Sequence, residues 1–207
     1  MKTEIIYEDN DILVVYKPAG LATQTAKLGQ VDVVSELKNY LKQSAKGDGK
    51  ASQVSGRETY LGIIHRLDQP VEGLLVFAKQ KKAAADLTTQ LQRQGEVGSL
   101  HKHYYAVVCG KPKENQGKLV DYMYKSPENL AVIVERSDAG NTAKKAVLEY
   151  RISRKRQIAQ GKVCNIPQND LEGSETIIAL ADINILTGRF HQIRAQMAHA
   201  GMPLLGD

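Results

Sequence analysis

The chain has 207 residues, 42% of them hydrophobic and 25% charged, with a formal net charge of +5 and a pI near 9.1. At about 150 residues per domain, this bounds it to a single domain of mixed architecture with room for a real core, and the basic balance favours a polyanionic partner. No apolar run approaches the roughly 20 residues that span a bilayer, and the N-terminus has no secretory apolar segment. The two cysteines, Cys109 and Cys164, stand alone in their segments, match no metal motif or disulfide framework, and suit a reducing cytoplasm.

In chain order, residues 5–7 and 12–16 read as strands joined by the turn cluster Glu8-Asp9-Asn10-Asp11. Lys17-Pro18-Ala19-Gly20 breaks the second strand. Asp32 is placed to cap a helix over 33–43, with Val33, Val34, Leu37, Tyr40 and Leu41 at helical spacing. Residues 44–59 are polar and without periodicity, which predicts a mobile loop. Strands follow over 61–64 and 74–78, then a helix over 81–94 stopped by Gly95. Further strands are expected over 104–109, 121–124, 131–135 and 146–152. Residues 151–155 make a basic patch and 157–175 a second long loop. A strand over 177–186 leads through Thr187-Gly188 into a helix over 189–200, stopped by Gly201 and Pro203. Strands outnumber helices without alternating with them one to one, which argues for an α+β fold with a mostly antiparallel sheet.

Two stretches are chemically dense. The first is His65-Arg66-Leu67-Asp68-Gln69-Pro70-Val71-Glu72-Gly73, a corner between two apolar runs. Packing alone does not explain an acid after Arg-Leu at such a corner, and rigid scaffolds usually hold reactive groups in the loops between strands. The bland alternative for Asp68 is a turn cap. The second is Thr187-Gly188-Arg189-Phe190-His191-Gln192-Ile193-Arg194, where a turn feeds a helix carrying two arginines. That arrangement fits a phosphate or carboxylate site, or equally an ordinary solvated helix face.

The order of motifs carries more than either stretch. Asn10-Asp11-Ile12-Leu13-Val14-Val15-Tyr16-Lys17-Pro18-Ala19-Gly20 precedes His65-Arg66-Leu67-Asp68, then Lys102-His103-Tyr104, then Gly188 to Arg194, then Gly201-Met202-Pro203-Leu204-Leu205-Gly206-Asp207. This order resembles the RluA-type family of RNA pseudouridine synthases over nearly the whole chain. The resemblance implies an isomerase that detaches a uracil base, rotates it and rejoins it through C5. It also implies a central mixed, mostly antiparallel sheet with helices and loops around an RNA-binding cleft, and no cofactor or metal.

By the same resemblance Asp68 is the catalytic aspartate, acting at the glycosidic bond by covalent attack or by stabilising a cationic or glycal path. Arg194 is its expected ion-pair partner, with Arg189 as the alternative partner or a phosphate contact. Tyr104 matches the tyrosine that stacks on the target base; the adjacent Tyr105 faces the other side of its strand and reads as a core residue. Arg66 is expected to enter the RNA stack when the uridine flips out, and Lys102, Lys17 and His65 to be RNA contacts or shape-holders.

Two departures from the family pattern stand out. Val71-Glu72 occupies the place of the usual Thr-Ser, and the chain stops at Asp207, where family chains run on, so truncation at the C-terminus is considered. No S4-type appendage precedes the catalytic segment, so residues 44–59, 96–103 and 157–175 are the expected specificity loops. The partner expected is ribosomal or transfer RNA, in the cytoplasm, bound by a monomer away from membranes. Two competing readings remain: an RNA-binding protein of the same fold that has lost turnover, supported by Glu72 and the short C-terminus, and a metal-dependent hydrolase, supported by His101 with His103 and His191 with His199.

Overall fold

The computed structural model describes residues 1–25, 27, 29–47, 59–93, 96–110, 112–136, 140, 142–158 and 176–206. These form two compact units, Met1–Arg93 and Gln94–Asp207, each with its own antiparallel sheet. The α+β class is met, and the strands fall into two sheets with three helices.

The first unit opens with a hairpin of β1 (Glu4–Glu8) and β2 (Ile12–Lys17). Asp9 closes its turn, its carboxylate accepting from the backbone N–H of Asp11 at 2.8 Å and of Ile12 at 2.7 Å. Then come α1 (Val33–Gly47), the short β3 (Gly62–Ile63), β4 (Gly73–Ala78) and α2 (Lys81–Gln92), in the sheet order β1-β2-β4-β3. Period-2 alternation along β2 buries Leu13, Val15 and Lys17. Asp32 caps α1 as expected, accepting from Ser35 N, while its second oxygen takes Thr25 N, both at 2.7 Å. The helix runs four residues past the expected end, because no glycine or proline intervenes before Gly47. Most of the expected loop 44–59 lies outside the described residues.

The second unit holds β5 (His103–Gly110), β6 (Gln116–Lys125), β7 (Ala131–Val134), β8 (Lys144–Ile158), β9 (Thr176–Ile185) and α3 (Gln192–His199), in the sheet order β5-β9-β8-β6-β7. One sheet face carries Val108, Leu148, Tyr150, Ile152, Ala179, Ala181, Ile183 and Ile185 into a core completed by Met197 of α3 and by Met202. Two strands exceed their expected bounds. The polar start of β6 is paired with residues 146–151 of β8, and the basic patch 151–155 is itself strand, paired with β9 across a bulge at Ser153. Ladder pairing, invisible in composition, overrides the polarity there. The expected loop 157–175 yields residues 157 and 158 to β8 and otherwise lies outside the described residues. Cys109 is disulfide-bonded, against the expectation from cysteine spacing, and Cys164 lies outside the described residues.

Candidate active site

The His65–Gly73 corner lies between β3 and β4 and is fastened from the segment that follows β2. Thr23 Oγ1 donates to Leu67 O at 2.8 Å and accepts from Leu67 N at 3.2 Å. Gly20 N donates to Gln69 O at 2.8 Å, and Gln69 Nε2 donates back to Gly20 O at 3.0 Å. Gly20 needs its glycine identity here, since its φ is +83°. A turn closes from Asp68 O to Val71 N at 3.0 Å. The residues on both sides of Asp68 are therefore held by the backbone, and Leu67 is buried beneath it. Asp68 and Arg66 are exposed at the surface of this fixed corner.

Lys17 departs from the expected RNA contact. It is 0% exposed, and its ammonium donates to Leu21 O at 2.6 Å and to Pro18 O and Gln69 O at 3.1 Å. All three protons are taken by carbonyls, so it shapes the corner and cannot reach RNA. Burial pushes its pKa below the usual lysine range, while the negative charges of Asp68 and Glu72 pull the other way. His65 is half-buried, and its Nε2 accepts from Val76 N of β4 at 3.3 Å, which makes it a shape-holder too. The unexpected Glu72 stands beside Tyr16, and its carboxylate raises the Tyr16 pKa above its usual value.

In the second unit Tyr105 is not the core residue expected. Tyr105 is 73% exposed, whereas Tyr104 is half-buried and packs against the core. Strand alternation holds, but the sheet face covered by α3 is the one Tyr104 points to. Lys102 is half-buried, and its burial lowers its pKa. A methyl group built on Gly188 would sit 3.5 Å from the Lys102 ammonium, so Lys102 stands beside the turn that leads to Arg189.

The helix expected over 189–200 begins only at Gln192. His191 precedes it in a left-handed conformation, φ 48°, so Arg189 and Phe190 belong to a turn. Arg189 is fixed at two points, its N–H by Gln192 Oε1 at 3.0 Å and its Nε by Lys145 O at 2.9 Å. Phe190 stacks on His191 with centroids 3.8 Å apart, and Lys125 Nζ lies 4.6 Å from the Phe190 centroid. Arg194 lies on α3 itself, within its first turn.

The candidates thus divide. Lys17, His65, Arg66 and Asp68 belong to the first unit; Lys102, Tyr104, Arg189 and Arg194 belong to the second. Among the described residues no three His, Cys, Asp or Glu side chains are grouped as metal ligands. The histidines are otherwise placed: His103 lies 3.6 Å from Asp182, His199 lies 3.0 Å from Asp121, and His191 stacks on Phe190. No helix among the described residues is long and apolar enough to cross a membrane. The sequence reading passed over Gly20, Thr23, Gln69, Gln192 and Gln196. Small polar residues and amides carry no charge signal, and only their burial reveals their task.

A family model described as RNA pseudouridylate synthase matches residues 11–199. The chain is 30% identical to an uncharacterized RNA pseudouridine synthase of Bacillus subtilis, over 99% of this chain and 56% of that protein. It is 33% identical to a ribosomal large subunit pseudouridine synthase D of Zymomonas mobilis, over 99% of this chain and 54% of that protein. The chain thus spans about half the length of these curated relatives. Among solved structures, human RNA pseudouridylate synthase domain containing 4 superposes with a TM-score of 0.60 at 22% identity, covering 99% of this chain and 67% of that one.

Proposed function

This chain belongs to the RluA-type RNA pseudouridine synthase family, and on that premise we propose that it isomerises specific uridines of ribosomal or transfer RNA to pseudouridine. The observation that carries the reading is the anchored corner: an exposed carboxylate, Asp68, between two residues whose backbones are tied to the 17–23 segment. Positional rigidity is what a carboxylate needs to act on one glycosidic bond.

In the proposed reaction the Asp68 carboxylate acts at the ribose C1′ as the bond from C1′ to N1 breaks, either bonding to it or stabilising its developing positive charge. The freed uracil turns, C5 bonds to C1′ as any bond from C1′ to Asp68 breaks and frees the carboxylate, and the hydrogen on C5 leaves as a proton. N1 takes up a proton, so atoms and charge balance without an electron donor. Tyr104 stacks on the base, worth about 1–3 kcal/mol, and Arg194 contributes positive charge to the reaction. Arg66 fills the space the flipped uridine leaves, offsetting an unstacking cost of a few kcal/mol. Arg189 and Lys102 take phosphates. Relatives named for the ribosomal large subunit support ribosomal RNA within that substrate class. An RNA-binding protein without turnover is the weaker reading, because Asp68 stands exposed on a corner anchored on both sides of it.

The test is tritium release from transfer or ribosomal RNA labelled at C5 of uridine. Forming the new bond at C5 expels that hydrogen. Wild type is expected to release it and Asp68→Ala to release none; equal release by both would remove Asp68 from the chemistry.

A further inference from the structure

Two glutamines one turn apart on α3 are buried among apolar groups, Gln192 at 3% and Gln196 at 0% exposure. Burying an unpaired amide is costly, so such groups persist only when fully bonded. Both are. Gln196 Nε2 donates to Asp121 Oδ2 at 2.6 Å, and Gln196 Oε1 accepts from Gln192 Nε2 at 2.9 Å. Gln192 Nε2 also donates to Val147 O of β8 at 3.0 Å. Gln192 Oε1 accepts from Thr187 Oγ1 at 2.8 Å and from Arg189 N at 3.0 Å. Thr187 in turn accepts from Val147 N at 2.9 Å. The direction of this chain is fixed at both ends: an ionised carboxylate only accepts, and a backbone N–H only donates.

The chain ends at a turn with an uncommon backbone. His191 holds φ 48°, a conformation that non-glycine residues keep only where their surroundings impose it. The side chain that this turn projects is Arg189. Its Nε is taken by Lys145 O, while among the described residues its two terminal nitrogens have no hydrogen-bond partner. A guanidinium held by Nε, with both terminal nitrogens left to bond, is the fork that grips a phosphate in two places. Lys125, kept over the Phe190 ring at 4.6 Å, adds a second cation to the same turn.

We propose that Gln192 is a positioning residue: the buried chain from Asp121 through Gln196 to Gln192 holds Arg189 so that its terminal nitrogens bind one RNA phosphate. The proposal rests on the reading of the protein as an RNA enzyme, but it concerns binding and can fail separately from catalysis. Gln192→Met keeps the side-chain volume while leaving Arg189 N–H without its acceptor. The turn then loses the tie that runs from the Arg189 N–H through Gln192 to Val147 O, and Arg189 loses the phosphate.

The experiment measures binding of unmodified transfer RNA as a function of salt for wild type, Arg189→Ala, Gln192→Met and the double variant. Each phosphate contact contributes to the slope of log K against log salt, so Arg189→Ala should lower that slope by about one. Gln192→Met should lower it equally, and the double variant no further. A purely structural role would lower the melting temperature and leave the slope at its wild-type value, which would overturn the proposal. So would additive losses in the double variant, an unchanged slope in Arg189→Ala, or no salt-dependent binding by the wild type.

Gln192→Glu supplies a second variant, for the case that the methionine variant does not fold. Its carboxyl, buried and therefore titrating above the ordinary value of about 4.3, mimics the amide only when protonated. Its slope should return to the wild-type value as pH falls through that pKa. Asp121, His199 and Arg189 are common to both proteins, so the comparison with wild type isolates the new group. A slope deficit that stays constant with pH, or no deficit at neutral pH, would overturn the proposal. Absence of tritium release by the wild type would remove the synthase reading and leave these slopes to decide Gln192 alone.

Discussion

A lysine with no exposed surface is uncommon, and Lys17 shows what such a residue is for. Its three protons satisfy the carbonyls of Pro18, Leu21 and Gln69, drawing the strand break after β2 onto the corner that holds Asp68. Lys17→Met would leave those carbonyls without a donor. We expect a stability loss of about 2–3 kcal/mol by chemical denaturation, accompanied by lost tritium release. Unchanged stability would mean that the corner holds without it. Lys102 is the opposite case, a half-buried lysine proposed to meet phosphate. Burial lowers its pKa, so its charge is complete below that lowered value and disappears as pH rises through it. RNA affinity of the wild type should therefore begin to fall at a lower pH than that of Lys102→Arg, whose guanidinium stays charged. Superimposable alkaline profiles would remove Lys102 from the interface.

Among elements, β5 depends on what lines its outer edge. An edge strand exposes unpaired backbone groups, and here residues 203–205 satisfy them. Cys109 N donates to Pro203 O at 2.9 Å, Leu205 N donates to Val107 O at 2.8 Å, and Val108 bridges to Leu204. The approach is close enough to require glycine at the end of β5. Gly110 has φ +116°, and a Cβ there would lie 2.3 Å from the backbone oxygen of Gly201. Gly110→Ala should therefore cost on the order of 3 kcal/mol, from strain and displaced backbone together. A melting temperature within a degree of wild type would show that the C-terminal segment yields easily. The same logic explains why Gly201-Met202-Pro203-Leu204-Leu205 carries a motif without any chemistry of its own: it closes a sheet edge and adds Met202 to the core.

Across the whole molecule the net charge of +5 is modest, and its effect depends on where the charge sits. The basic segment 151–155 lies on β8, where Arg151 and Lys155 are exposed. Binding of unmodified transfer RNA should weaken steeply with salt if these cations meet phosphates; six such contacts correspond to a loss of about a thousandfold between 50 and 200 mM. A salt-independent affinity would point to recognition through bases or shape, and would count against the phosphate roles proposed for Arg189 and Lys102 alike.

By itself the sequence determined the α+β class, the position of nearly every strand and helix, the cap at Asp32 and the family. These rest on local periodicity, local capping and the order of motifs, all of which are written along the chain. It also singled out Asp68 as the residue proposed for the chemistry, through the motif around it. What only tertiary structure decided is which side chains are spent on holding the others. Lys17 looks like any strand-end lysine until its ammonium is found among three carbonyls, and Tyr105, expected in the core, lies exposed because a sheet face is defined by what covers it. Gln192 and Gln196 are ordinary helix residues in sequence and become a hydrogen-bonded chain only when Asp121, 75 positions before Gln196, is brought against them. A polar residue is assigned by its partners, and partners far away in sequence come with the fold.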